Sequence, residues 1–287
     1  MRAVGAVTVG RRRRIRGRVV PAQTSERRWD DMTGSANSDE DSWFRRFHTS
    51  PEAKARLVCL PHAGGSAPFY FPVSRALTPD IEVLAVQYPG RQDRRHEPFL
   101  TTIDALADRI AELLRGRDDR PLALFGHSMG GMIAFEVTRR LEAAGTEVHT
   151  LFVSGRRAPS RHRNENVHTR TDDGVIDELR RLSGTEMDLL GDDDVVRMIL
   201  PVVRNDYRAV ETYRYQPGPP LAAPVVAFTG TADPVASVDE VRSWSEHTSA
   251  GFELVPLAGG HFFLTRHQDV ILRHLTDRLV DKGRAHV

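Results

Sequence analysis

The stretch PLALFGHSMGGMIAFEVTRRL, Pro121–Leu141, decides how the rest of the chain is read. Pro121–Phe125 is a short apolar run of strand character, and Met132–Leu141 spaces its apolar residues as a helix does. Between them lies Gly126-His127-Ser128-Met129-Gly130, a G-x-S-x-G sequence. Glycines two before and two after a serine leave room for neighbouring backbone in the sharp turn that would expose its hydroxyl. The amides of the following helix then point at charge developing on a substrate. The bare pattern is frequent by chance. Set between a strand and a helix, it predicts a nucleophile at Ser128, the alternative being an inert serine in a surface loop.

Working outward, Leu57–Leu60 is a second apolar strand, ending in Pro61-His62-Ala63-Gly64-Gly65. Ile81–Gln87, Thr150–Ser154, Pro224–Thr229 and Phe252–Pro256 read as further strands. Helical spacing marks Thr102–Leu114, with Thr101 or Thr102 as N-cap, and Asp269–Leu279. Strands that are apolar on both faces and alternate with helices predict an α/β protein with a mostly parallel sheet flanked by helices. After Thr150–Ser154 the alternation breaks for a polar stretch and two helical patterns, about Asp173–Leu182 and Asp192–Tyr213. An insertion at a strand end is placed to roof an active site. The expected layout is a disordered leader over 1–41, a core over 42–155 and 216–281, and a helical lid over 156–215.

Composition sets the remaining bounds. The chain has 287 residues and a formal charge of +1. Residues 1–28 hold nine basic side chains and one acid, so the remainder carries 31 basic against 38 acidic residues. A mildly acidic body argues against a nucleic-acid surface. No apolar run approaches the roughly 20 residues of a membrane span. Cys59 is the single cysteine, which suits a reducing cytoplasm. No Cys/His cluster suggests a metal.

Two further side chains complete a site. His261 follows the last strand in Ala258-Gly259-Gly260-His261, and Asp233 follows Pro224–Thr229 through Gly230-Thr231-Ala232. The order serine, acid, histidine is that of an α/β-hydrolase fold. Asp239 is the rival acid, although it opens a helical segment, Val238–Ser245, as an ordinary first-turn carboxylate. His62 and His127 stand near motifs but are expected to pack locally. An oxyanion hole needs two backbone N–H groups, for which Met129, after the serine, and Ala63, in the loop after an early strand, are the candidates.

Taken in order, LVCLPHAGG (Leu57–Gly65), QYPGR (Gln87–Arg91), GHSMG, TGTADP and GGHFF resemble a type II thioesterase of modular polyketide and nonribosomal peptide synthases. The likeness extends to Trp43-Phe44, Leu200-Pro201 and Asp206-Tyr207, and spans about Ser42 to Leu279. It implies that Ser128, Asp233 and His261 are catalytic, that the amides of Ala63 and Met129 form the oxyanion hole, and that no cofactor is used. It also implies an editing role, in which acyl groups are hydrolysed from the phosphopantetheine arm of acyl or peptidyl carrier protein domains. We expect a monomer. The apolar lid face, with Val195, Ile199, Leu200 and Val203, is a candidate wall of an acyl chamber. Arg91, Arg94 and Arg95, or Arg156, Arg157, Arg161 and Arg163, are candidate contacts for an acidic carrier. A carboxylesterase or lipase, a medium-chain fatty acyl thioesterase and a non-catalytic scaffold are the competing readings.

Met32 opens a more ordinary N-terminus than Met1, which we read as a seldom-used upstream start. Mass measurement on the protein from its native source checks this, and finding Arg11–Arg18 in the mature chain overturns it.

Overall fold

Helix α1 (Asp39–Trp43) leads into a two-residue strand, β1 (Phe44–Arg45). Strands and helices then alternate: β2 (Ala55–Leu60), α2 (Phe71–Leu77), β3 (Ile81–Val86), α3 (Ile103–Leu114), β4 (Leu122–His127), α4 (Met129–Ala143) and β5 (Thr150–Ser154). Two helices follow, α5 (Asp172–Ser183) and α6 (Asp193–Thr212). The alternation resumes with β6 (Val225–Gly230), α7 (Val238–Arg242) and β7 (Phe252–Leu257), and closes on α8 (Phe263–Arg266) and α9 (Gln268–Leu279). This computed structural model describes residues 39–183 and 193–280.

The strands form one sheet in the order β1-β3-β2-β4-β5-β6-β7. Only β1 is antiparallel to its neighbour; every other pairing is parallel. Burial explains why. Every residue of β2, β4, β5 and β6 is buried, so both faces of the sheet are covered. Along β2, Val58 and Leu60 join a core layer with α3 and α4, while Leu57 and Cys59 join an opposite layer with α2 and α9. Burial pushes the Cys59 thiol pKa up. Helix α3 starts where the sequence places it, since Thr102 Oγ1 accepts from Ala105 N at 3.1 Å.

Successive strands run outward from β2 in one direction and from β4 in the other. The adjacent β2 and β4 therefore flank the switch point, where the loops leaving their carboxyl ends diverge and leave a crevice. Leu60 pairs with Gly126, which sets the loop after β2 beside Ser128.

Several boundaries differ from the sequence reading. Strand β4 continues through His127 and α4 begins at Met129, so Ser128 alone separates them. The sequence missed β1 and α2; the first is two residues long, and the second is a short helix with Pro72 in its first turn. Residues 1–38 of the expected leader lie outside the described residues. Residues 39–41 belong to α1, where Glu40 pairs with Arg46 and Arg117. The span expected as a lid opens on residues that are buried. Arg156 and Arg157 are buried, with Trp244 Nε1 donating to Arg156 O at 2.8 Å and Arg157 Nη1 donating to Val235 O at 2.9 Å. At the far end of α6, Ala209, Val210 and Tyr213 join the main core, and Tyr213 Oη donates to Glu136 at 2.6 Å. No helix among the described residues is long and apolar enough to cross a membrane.

Ile110 is fully buried in the α3 layer. Ile110→Ala should lower the unfolding free energy by about 2–5 kcal/mol, read from urea denaturation.

Candidate active site

Ser128 is the turn between β4 and α4, with φ +53° and ψ −115°. This is a conformation that non-glycine residues rarely adopt. Crowding of backbone around it holds it there. A Cβ on Gly126 would lie 2.1 Å from Gly130 O, and one on Gly130 would lie 2.0 Å from Leu60 O. Only hydrogen fits at either place. Ser128 N donates to Ser154 O at 2.8 Å, which ties the turn to β5. Met129 N–H follows as the first amide of α4, at the positive end of the helix dipole.

Asp233 and His261 come from the loops after β6 and β7. Those loops are joined, since Ala232 N donates to Gly259 O at 2.9 Å. His261 Nδ1 donates to Asp233 Oδ2 at 2.9 Å, and Val235 N donates to the other carboxylate oxygen at 2.8 Å. Both side chains are nearly inaccessible to solvent. With Nδ1–H committed to Asp233, Nε2 is the acceptor nitrogen. Ser128 and His261 line one cavity of about 140 Å³, together with His62, Ala63, Gly64 and Phe262 from the core and Leu179, Leu182, Ile199, Val203 and Tyr207 from the lid. The arrangement brings a hydroxyl, an imidazole oriented by a carboxylate, and a helix N-terminus to one place. That set can carry out acyl transfer. Asp239 is highly exposed in the first turn of α7.

His127 and His62 pack where expected, but against the site itself. The His127 ring lies 5.0 Å from that of His261 and 5.9 Å from that of His62. Burial pushes the His62 pKa down to about 3 and the His127 pKa well below its usual range. Both therefore stay neutral at physiological pH, which spares the histidine beside them a fixed positive neighbour.

A parallel sheet with a serine turn at a central strand, and an acid and a histidine on the loops of the last two strands, defines an α/β-hydrolase. The chain belongs to the thioesterase family: the model described as "Thioesterase domain" matches residues 55–279. Thioesterase PikA5 of Streptomyces venezuelae is 46% identical over 246 residues, 85% of this chain and 88% of the relative. The structure of the type II thioesterase BorB from the borrelidin biosynthetic cluster superposes with a TM-score of 0.80 at 52% identity, covering 83% of this chain and 98% of that one. RedJ, the thioesterase of the prodiginine pathway in Streptomyces coelicolor, gives 0.75 at 37% identity, with 82% and 91% covered.

Of the four lid candidates, Ile199 and Val203 line the cavity, while Leu200 does not and packs with Val203, Val167, Val175 and Ile176. Val195 falls in α6, but its side chain lies outside the described residues. Tyr207 was missed, although the spacing Ile199, Val203, Tyr207 is a helical stripe that points to it. The arginine reading needs correction. Arg91 and Arg94 are buried on Asp206 and Glu97, and Arg157 on Glu165, while Arg156 is buried as well. A side chain held inside cannot meet a partner. Arg161 and Arg163 are more accessible, yet each is paired, with Glu246 and Glu240. Of the seven, Arg95 is left as an exposed candidate.

Asp233→Asn would keep the shape and spoil the imidazole tautomer. Its kcat should fall by about 10⁴-fold while the melting temperature changes little, as followed by steady-state kinetics and thermal denaturation.

Proposed function

We propose that this thioesterase cleaves acyl groups from the phosphopantetheine arm of carrier protein domains by way of an acyl enzyme on Ser128, with Asp233 and His261 as its partners. The observation that carries this reading is the shared cavity. Ser128 and His261 open into it together, and His261 is already tied to Asp233. In the first half-reaction Ser128 Oγ attacks the thioester carbonyl as His261 Nε2 takes the hydroxyl proton. Negative charge then forms on the carbonyl oxygen, against the amides of Ala63 and Met129. The C–S bond breaks and the thiol departs with the proton from His261. A thiol of pKa about 8.5 is a far better leaving group than an alkoxide, so less acid assistance is required. In the second half-reaction His261 takes a proton from water, hydroxide attacks the acyl serine, and the free acid leaves as Ser128 recovers its proton.

The substrate assignment follows the relatives. BorB is a type II thioesterase of the borrelidin biosynthetic cluster, and another solved relative, YbtT, is a type II thioesterase of the yersiniabactin NRPS/PKS pathway. By that likeness the role is editing, with the enzyme clearing stalled or wrongly loaded units from a polyketide or nonribosomal peptide synthase. The chain would act as a separate monomer visiting its carrier domains. The esterase, fatty-acyl and scaffold readings are not favoured by these relatives.

Ser128→Ala should lower hydrolysis of a short acyl thioester by roughly 10⁴-fold, with near-normal turnover removing Ser128 as nucleophile. In the unaltered enzyme a matched oxygen ester should turn over more slowly than the thioester. Equal rates would count against thioester specialisation.

A further inference from the structure

The loop that presents Ala63 is gripped from two sides. From the core, Tyr70 Oη donates to Leu60 O at 2.9 Å, Tyr88 Oη donates to Pro61 O at 3.3 Å, and Arg91 Nη1 donates to Gly65 O at 2.8 Å. From the lid, Asp206 on α6 accepts Gly64 N–H at 2.7 Å with one carboxylate oxygen and Arg91 Nη2–H at 2.6 Å with the other. Val203, one turn earlier on α6, closes over the same residue, since a Cβ on Gly64 would lie 2.8 Å from Val203 Cγ2. Asp206 is completely buried and Arg91 nearly so, and the Arg91 guanidinium lies over the Tyr88 ring at 4.7 Å. One carboxylate thus joins three parts of the molecule: the lid helix, the segment after β3, and the peptide between Ala63 and Gly64. The N–H of Ala63 belongs to the preceding peptide, His62–Ala63, which pivots on the Ala63 Cα, so the bond from Gly64 N–H to Asp206 fixes the neighbouring side of that pivot.

We propose that Asp206 and Arg91 are positioning residues for the oxyanion hole, coupling the seating of lid helix α6 to the aim of the Ala63 amide. The proposal rests on Ala63 serving as an oxyanion donor in the reading given above. Neither side chain is among those lining the cavity beside Ser128. They act through the loop: with α6 seated, the loop is held before substrate arrives, and no reorganisation is needed as charge develops. When α6 lifts, Gly64 N–H loses its acceptor and Arg91 loses its counter-charge, so an unroofed site is also one with a slack oxyanion loop.

The test is Asp206→Asn, which keeps the volume and removes the charge, assayed beside Ser128→Ala. A short-chain alkyl trifluoromethyl ketone serves as the probe. Ser128 Oγ adds to its carbonyl while His261 takes the proton, and the resulting hemiketal oxygen occupies the oxyanion hole. Removal of one oxyanion donor costs about 10²–10³-fold in kcat, so misalignment of one should cost roughly 10–10²-fold, with KM within about threefold of the unaltered enzyme. The inhibition constant of the ketone should rise by the same factor as kcat/KM falls. A purely structural role would instead lower the active fraction, titrated with a fluorophosphonate, and leave the inhibition constant unmoved; that result overturns the coupling. If Asp206→Asn cannot be purified folded, the neutral pair Arg91→Gln/Asp206→Asn is measured in the same way and judged by the same inhibition constant. Failure of the site reading looks different. An active Ser128→Ala would remove both the site and the coupling, whereas an inactive Ser128→Ala with an unmoved inhibition constant for Asp206→Asn would remove the coupling alone.

Discussion

Backbone packing at the crossing of β4 and α4 over the end of β2 is the constraint on which the rest of the site depends. Gly130 lies so close to Leu60 O, and Gly126 so close to Gly130 O, that neither place admits a methyl group. The helix can therefore leave the strand at once, with a single residue between them, and that residue takes the strained conformation seen at Ser128. Sheet order does the rest. Because β2 and β4 are neighbours and the connections run outward from them, the Ala63 loop, the serine turn, the Asp233 loop and the His261 loop all emerge at one rim.

Electrostatics at that rim are arranged by burial as much as by partners. The His127 ring lies within 6 Å of the rings of both His62 and His261, and desolvation keeps His62 and His127 uncharged. His261 has a partner of another kind, a buried carboxylate that accepts from its Nδ1. Arg91 and Asp206 form a second buried charge pair a short way off, whose hydrogen bonds end on the backbone of the Ala63 loop. Such a pair is weak evidence for stability, since desolvation offsets most of the attraction. Its directional bonds to Gly64 and Gly65 give it a different use.

Much of this was legible in the sequence, for reasons that are local. A run of apolar residues, a glycine-flanked serine and a helical period identify β4, the turn and α4 without reference to anything distant. Asp233 and His261 could be singled out because a strand's carboxyl end is recognisable and the triad order is constrained, and the structure brings the two side chains into hydrogen-bond contact. What could not be read is pairing across long separations. Asp206 lies 115 positions from Arg91, so an arginine in the QYPGR segment looks like any surface cation until the fold supplies its carboxylate. Arg94 and Arg157 misled for another reason: their partners, Glu97 and Glu165, are close in sequence, but the burial of each arginine is not visible there. Charge in a sequence says nothing of depth. The lid wall was half legible: the four-residue spacing of Ile199 and Val203 continues to Tyr207, but only the structure shows that Leu200 does not line the cavity.

Cys59, the fifth of the six residues of β2, is buried on the face packed by α2 and α9, and it is the single cysteine of the sequence. For an enzyme that handles thioesters this has a chemical meaning. Under the proposed mechanism, an acyl group on Ser128 would meet no thiolate of the protein's own, because the one sulfhydryl present is both inaccessible and held in its protonated form. Intramolecular capture of the acyl group by sulfur is closed off, which leaves water to complete the turnover. Thiol-reactive dyes that report a thiol released from a thioester should likewise pass the folded enzyme by.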